Sequence, residues 1–244
     1  EFPSLGARYS AAKAAGFHAV ESYPYAVSVE ELVAVKQEEK LEQVLINSPM
    51  GTIPSHDPSQ RDDLLREMQE VYVRNMKYAA DRLQKEGILV LIEAINTKVS
   101  IPGYFLDNPY KAIDIIKKIN HDNLKLMLDL FHAQIMVGNL TYLIKTFLPY
   151  IGHVQVAQVP NRGEPDSPGE INYTYIFKLL EDVGYDGYIG CEYTPTTGMF
   201  VGLSVDVGYD GYIGCEYTPT TGMLGCQLMW VMIAILDVNL TPTT

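Results

Sequence analysis

Apolar and polar positions fall into two alternating periods along most of the chain. Ser28-x-x-Glu31 has the form of a capping box, in which the first hydroxyl and the later carboxylate satisfy backbone N–H groups at a helix start; it predicts a polar helix to about Lys40. Gln43–Asn47 then reads as a short buried strand. From Leu64, the apolar residues Leu64, Leu65, Met68, Val71, Tyr72, Ala79, Ala80 and Leu83 share one face of a long helix that Gly87 stops. Leu89–Ile95 is an apolar run broken only by Glu93, and Asn108-Pro109 opens a further helix with proline in its first turn. Leu124–Phe131, Gly152–Ala157 and Tyr188–Tyr193 complete the set of predicted strands, each after a helical stretch.

Strands alternating with helices imply right-handed crossovers and a parallel sheet, and apolar runs without period-two alternation fit strands covered on both faces. A polar residue stands at or near the C-terminal end of each strand: Glu21, Asn47, Glu93, Asp129, Gln155 and Glu192. In α/β barrels that end is where chemistry is assembled. The chain has 244 residues, about the length of one such barrel.

One segment is repeated. Asp182–Met199 recurs unchanged as Asp206–Met223, and two identical copies point to a recent duplication or an assembly error rather than a solenoid. Leu224–Val238 follows, apolar except for Gln227 and Asp237, and shorter than the roughly 20 residues that span a bilayer. The predicted organisation is thus a barrel-like domain over 1–205, with a duplicated strand segment and apolar tail over 206–244.

Charge and cysteine content narrow the function. A formal net charge of −12 argues against a nucleic-acid surface, which needs clustered Lys and Arg. No membrane partner is expected either. Cys191, Cys215 and Cys226 form no CxxC pair and read as free thiols in a reducing, cytoplasmic setting. Asn139, Asn172 and Asn239 begin glycosylation sequons that read as chance matches.

The candidate chemistry lies in the strands. A carboxylate within LVLIEAIN is costly to bury unless paired or bound to a cation, and Glu93 is such a group; a salt-bridged strand end is the plainer alternative. Asp129 within KLMLDLFH poses the same problem, with His132 three residues on. Gln155 and Glu192 complete four oxygen donors on four strands, a hard set suited to Mg²⁺ or Mn²⁺. Arg162, in the loop NRGEP, could clamp a substrate carboxylate or simply be solvated.

The segments LVLIEAINT, YFLDNPYKA, LDLFHAQIMVGNLT, FLPYIGHVQVAQVPNRGEPDSPGEINY and LLEDVGYDGYIGCEY, in this order, resemble the hydroxypyruvate isomerase family. The resemblance covers most of 17–204 and is most specific over 152–173. It implies a xylose-isomerase-like (β/α)8 TIM barrel that interconverts hydroxypyruvate and tartronate semialdehyde, a small hydroxy-oxo acid pair. It further implies Glu93 and Glu192 as the proton donor and acceptor, and Glu93, Asp129, Gln155 and Glu192 as ligands of a divalent metal. His132 and Arg162 fall where related epimerases hold substrate oxygens.

The chain also departs from the family pattern. Glu1–Gly16 holds only a helix where the family has a strand first, and Met50–Arg61 stands where the family carries a helix and a strand. An incomplete α/β barrel of six strands is therefore expected, with open edges, low activity, and the duplicated strand and tail appended. The connection before the second copy looks too short for a parallel crossover next door, so its strand is expected to pair elsewhere, for example at the edge left open by a missing strand. This makes Glu192 the working glutamate and Glu216 a spectator. A sugar epimerase on the same scaffold, or an inactive product of an altered transcript or gene model, are the competing readings. A homo-oligomer stays open.

Overall fold

The computed structural model describes residues 4–22, 27–47, 61–194, 213–216 and 232–236. Helix α1 (Leu5–Ala14) starts at Ser4, whose hydroxyl accepts the Ala7 N–H, and leads into β1 (Ala19–Ser22). The predicted capping residue Ser28 accepts the Glu31 N–H at 3.1 Å and opens α2 (Val29–Glu39), which ends where Lys40 turns left-handed before β2 (Glu42–Asn47). The long helix α3 (Arg61–Leu83) closes through a 3-10 turn on Gly87 at φ 69°, a backbone angle that costs glycine little, and β3 (Ile88–Glu93) follows.

Asn108 caps α4 (Pro109–Ile119) by accepting the Lys111 N–H at 3.1 Å. Next come β4 (Leu124–Asp129), α5 (Leu130–Met136), α6 (Leu140–Phe147), β5 (Ile151–Val156), α7 (Tyr173–Asp182) and β6 (Ile189–Glu192). β4 is shorter than its apolar run predicts. The Asp129 carboxylate accepts the His132 N–H at 3.0 Å and so starts α5 one residue later, turning Leu130 and Phe131 into helix. Two of the sequon asparagines, Asn139 and Asn172, occupy the N-cap positions of α6 and α7; Asn172 accepts the Tyr175 N–H at 3.1 Å.

Six strands come from the first 205 residues, as predicted, but the sheet is not left open. Two more, β7 (Ile213–Glu216) and β8 (Met232–Leu236), fill the two gaps, and the order β1-β2-β8-β3-β4-β5-β6-β7 closes on itself. β7, from the second copy of the repeat, lies parallel to the strand it duplicates. Each residue faces its own copy: Ile189 opposite Ile213, Gly190 opposite Gly214, Cys191 opposite Cys215, Glu192 opposite Glu216. Its other edge pairs in parallel with β1, setting Glu216 opposite Glu21.

This corrects the expectation that β7 could not join in parallel. The connection runs over the whole of 193–212, longer than the dozen residues such a crossover needs. The tail strand β8 runs antiparallel between β2 and β3. The two strands from 206–244 are therefore integral to the sheet rather than appended to it.

Side chains pack into two clusters. The larger joins the inner faces of α3, α4, α6 and α7 to β2–β6, with Leu91, Leu126, Leu128, Phe131, Phe177 and Leu180 fully buried. A smaller one, formed by Leu5, Tyr9, Ala12, Phe17, Val20, Leu32 and Leu41, glues α1 and α2 to β1 and β2.

Candidate metal and substrate site

Parallel strands present their C-terminal ends at one mouth, and in β3–β6 those ends carry Glu93, Asp129, Gln155 and Glu192, all buried. Asp129 and Gln155 sit opposite each other across the β4–β5 pair, while Gln155 lies opposite Gly190, two residues before Glu192.

Glu93, Asp129 and His132 come together: each offers a ligand atom within 4.8 Å of the others. Nε2 of His132 lies 3.5 Å from Glu93 Oε1 and 3.7 Å from Asp129 Oδ2. Arg162 links the next pair, its Nη2 standing 2.6 Å from Glu192 Oε1 and 3.6 Å from Asp129 Oδ2, with the guanidinium over the Phe131 ring. Arg162 takes a left-handed backbone (φ 53°). Its loop is anchored on both sides, since the Thr194 N–H donates to the Arg162 carbonyl and Arg162 Nε donates to the Glu192 carbonyl. Gln158, buried beneath the loop, accepts from Val159 and Ile171 N–H and donates to the Ser167 and Ile171 carbonyls.

Electrostatically the site holds too much negative charge for its burial. Desolvation, then Glu192 and Asp129, push the Glu93 carboxyl well above the usual range. Desolvation likewise raises Asp129 against the opposing pull of Arg162. Glu192 rises to about 7 for the same first reason, again opposed by Arg162. His132 is driven the other way by burial and by Arg162, well below its ordinary value, so its imidazole is neutral.

The residues present fit a divalent cation. Glu93 Oε1 and Asp129 Oδ2 are buried and make no hydrogen bond among the described residues, a costly arrangement for anionic oxygens unless a cation meets them. The two carboxylates of this cluster are hard oxygen donors of the kind that hold such a cation.

A second polar layer lies beneath, and sequence reasoning gave it no role. Glu21 of β1 accepts from Gln155 Nε2 at 2.9 Å and pairs with His153 Nε2 at 2.5 Å, both wholly inside the barrel. Gly190 makes room for it, since a Cβ there would stand 2.2 Å from Glu21 Oε1. The available signal was the spacing of His153 and Gln155, two apart on β5 and hence on one face. Asn96, three residues beyond Glu93, was likewise missed. It is fully buried and holds the second nitrogen of His132, with Nδ2 to Nδ1 2.7 Å.

Comparison with known proteins places the chain in a family. The xylose isomerase-like TIM barrel family model matches residues 66–205. Hydroxypyruvate isomerase of Escherichia coli is 36% identical over 81% of this chain and 90% of its own length. 2-Oxo-tetronate isomerase of Haemophilus influenzae is 33% identical over 83% of this chain and 92% of its own. Among solved structures, a Brucella melitensis protein described as AP endonuclease, family 2, superposes with a TM-score of 0.69 at 32% identity, covering 89% of each chain. Family model and relatives agree: the chain belongs to the hydroxypyruvate isomerase family of xylose isomerase-like TIM barrels.

Proposed function

We infer that the chain isomerises a small 2-oxo-3-hydroxy acid, hydroxypyruvate in the first instance, using a divalent cation at the mouth of β3–β6. The observation that carries this reading is the trio of buried carboxylates, Glu93, Asp129 and Glu192, opposed by the single guanidinium of Arg162. Glu93, Asp129, Gln155 and Glu192 would hold Mg²⁺ or Mn²⁺, which when bound polarises the substrate carbonyl and its neighbouring oxygen.

The proton work falls to Glu93 and Glu192. Isomerisation of hydroxypyruvate removes a proton from the hydroxymethyl carbon and returns one to the adjacent carbonyl carbon, while the hydroxyl proton passes to the neighbouring oxygen. Two buried carboxylates at the mouth ends of strands β3 and β6 suit removal and return. His132, neutral and buried, supplies a hydrogen-bond donor to a substrate oxygen. Arg162, partly exposed, holds the substrate carboxylate once that group competes with Glu192 for its guanidinium. Glu192 is the copy assigned the work, on the contact of its Oε1 with Arg162 Nη2 at 2.6 Å.

The acidic balance of the chain disfavours a phosphate backbone as substrate, so the endonuclease description of the Brucella protein is not carried over. A four-carbon acid, as in the name of the Haemophilus relative, has the same reacting atoms. The test is incubation of purified protein with Mn²⁺ and hydroxypyruvate or 2-oxo-tetronate in D₂O, followed by proton NMR. Conversion of hydroxypyruvate to its aldehyde isomer, or of 2-oxo-tetronate to its 3-oxo isomer, with deuterium at the receiving carbon is expected. Absence of both conversion and exchange with either acid would overturn the reading.

A further inference from the structure

His132 sits within reach of the same oxygens as any cation at this mouth, so its geometry alone makes it a candidate ligand. What faces its other nitrogen decides otherwise. A histidine that ligates through Nε2 carries its proton on Nδ1 and donates it to a carbonyl, carboxylate or water. Here Nδ1 meets two donors, the backbone N–H of Asn96 at 3.3 Å and the Asn96 side-chain amide at 2.7 Å.

The orientation of that amide is fixed by its own partners. Asn96 Oδ1 accepts the N–H of Val99 at 2.9 Å and of Ser100 at 3.1 Å, and Nδ2 also reaches Ser100 Oγ at 2.9 Å. Rotating the amide to offer oxygen to His132 would set its nitrogen against two N–H groups, both in the turn that follows β3. We propose that Asn96 is a positioning residue that locks His132 as the Nε2–H tautomer, which excludes the imidazole from the metal shell and aims a neutral N–H donor at the substrate oxygen between Glu93 and Asp129. The tautomer stands on geometry; its use in turnover rests on the isomerase reading above.

Long-range proton–nitrogen NMR on metal-free protein labelled with ¹⁵N-histidine reads the tautomer directly, with the His132 signals assigned by their loss in His132→Gln. The expected result is a protonated Nε2 and an unprotonated Nδ1 in the native chain. Asn96→Asp, which offers an acceptor to Nδ1, is expected to move the proton there or to produce the imidazolium; Asn96→Ala, leaving only the longer backbone contact, gives a mixed population. Nδ1–H in the native protein, or an unchanged tautomer in both variants, overturns the proposal.

With Mn²⁺ as probe, pulsed EPR should show no directly coordinated imidazole nitrogen in the native chain and one in Asn96→Asp. A coordinated nitrogen in the native chain that disappears in His132→Gln overturns exclusion from the metal shell. On hydroxypyruvate, Asn96→Asp is expected to lower kcat by about 10–100-fold with a smaller change in KM. If the native protein turned over neither acid while the NMR result held, the isomerase reading would fall and the tautomer lock would stand.

Discussion

The arc β3–β6 and the arc β7–β1–β2–β8 close one sheet by different means. In the first, four parallel strands follow each other in chain order, their covering helices share the large core, and their polar ends gather at one mouth. In the second, β7 is a copy laid beside its original, β8 runs backwards, and α1 and α2 pack through a small separate cluster. Closing a sheet requires only that strand edges find backbone partners, and strands of various origin and direction meet that need. Building a site requires particular side chains from particular strands. Among the described side chains, most of that requirement is met by the first arc, and Glu21, beneath Gln155, comes from the second.

The largest expected effect separates the arcs by chemistry. Glu93→Gln should lower kcat on hydroxypyruvate by about 10²–10⁴-fold, the usual range for a lost acid–base group, while Glu216→Gln on β7 leaves it within about twofold. Comparable losses from both substitutions would show that the second arc takes part in the reaction.

Stability should divide the same way. Phe177 is completely buried in the large core, and Phe177→Ala should cost about 3–5 kcal/mol in denaturant unfolding. Leu32→Ala, in the small cluster, should cost about 2 kcal/mol, the low end for such truncations, because Leu32 keeps some exposure where Phe177 keeps none. Equal costs would contradict the inequality of the two arcs. Gly190→Ala joins them, since the new methyl would drive into Glu21; about 1–3 kcal/mol of destabilisation is expected, with weaker cation binding as Gln155 loses its anchor.

A further effect is one of pH. Burial raises Glu192 from the usual 4.5 to about 7, so the folded protein holds this proton more tightly than the unfolded chain. Its contribution to stability is fully present below about pH 4.5 and is lost as pH rises through about 7. Unfolding midpoints of the metal-free protein should therefore fall over that window, and Glu192→Gln should flatten the fall. Cation affinity should move oppositely, rising through about pH 7 as binding displaces the proton.

Much of the first arc was legible in the sequence, for identifiable reasons. Apolar runs that carry Glu93, Asp129 and Glu192 announce buried strands with a costly carboxylate near the end, and Asn108-Pro109 and Ser28 mark helix starts by their own hydrogen bonds. Closure was legible only as open edges that another strand could fill. Which edge β7 and β8 would seek depends on where β1, β2, β3 and β6 leave unpaired backbone, and no local pattern encodes that. The supporting polar groups were hidden for another reason. Asn96 looks like a loop residue and His153 like an ordinary strand residue until the fold brings His132 and Glu21 against them.

The central claim is that the β3–β6 mouth binds one divalent cation. Calorimetric titration of the intact, metal-free chain with Mn²⁺ tests it most directly when run beside Asp129→Asn, which keeps the shape of the side chain and removes its charge. The account predicts one site per chain in the native protein and a loss of affinity of at least about tenfold in the variant. Failure of the folded native chain to bind Mn²⁺ stoichiometrically, or equal binding by both proteins, would contradict it.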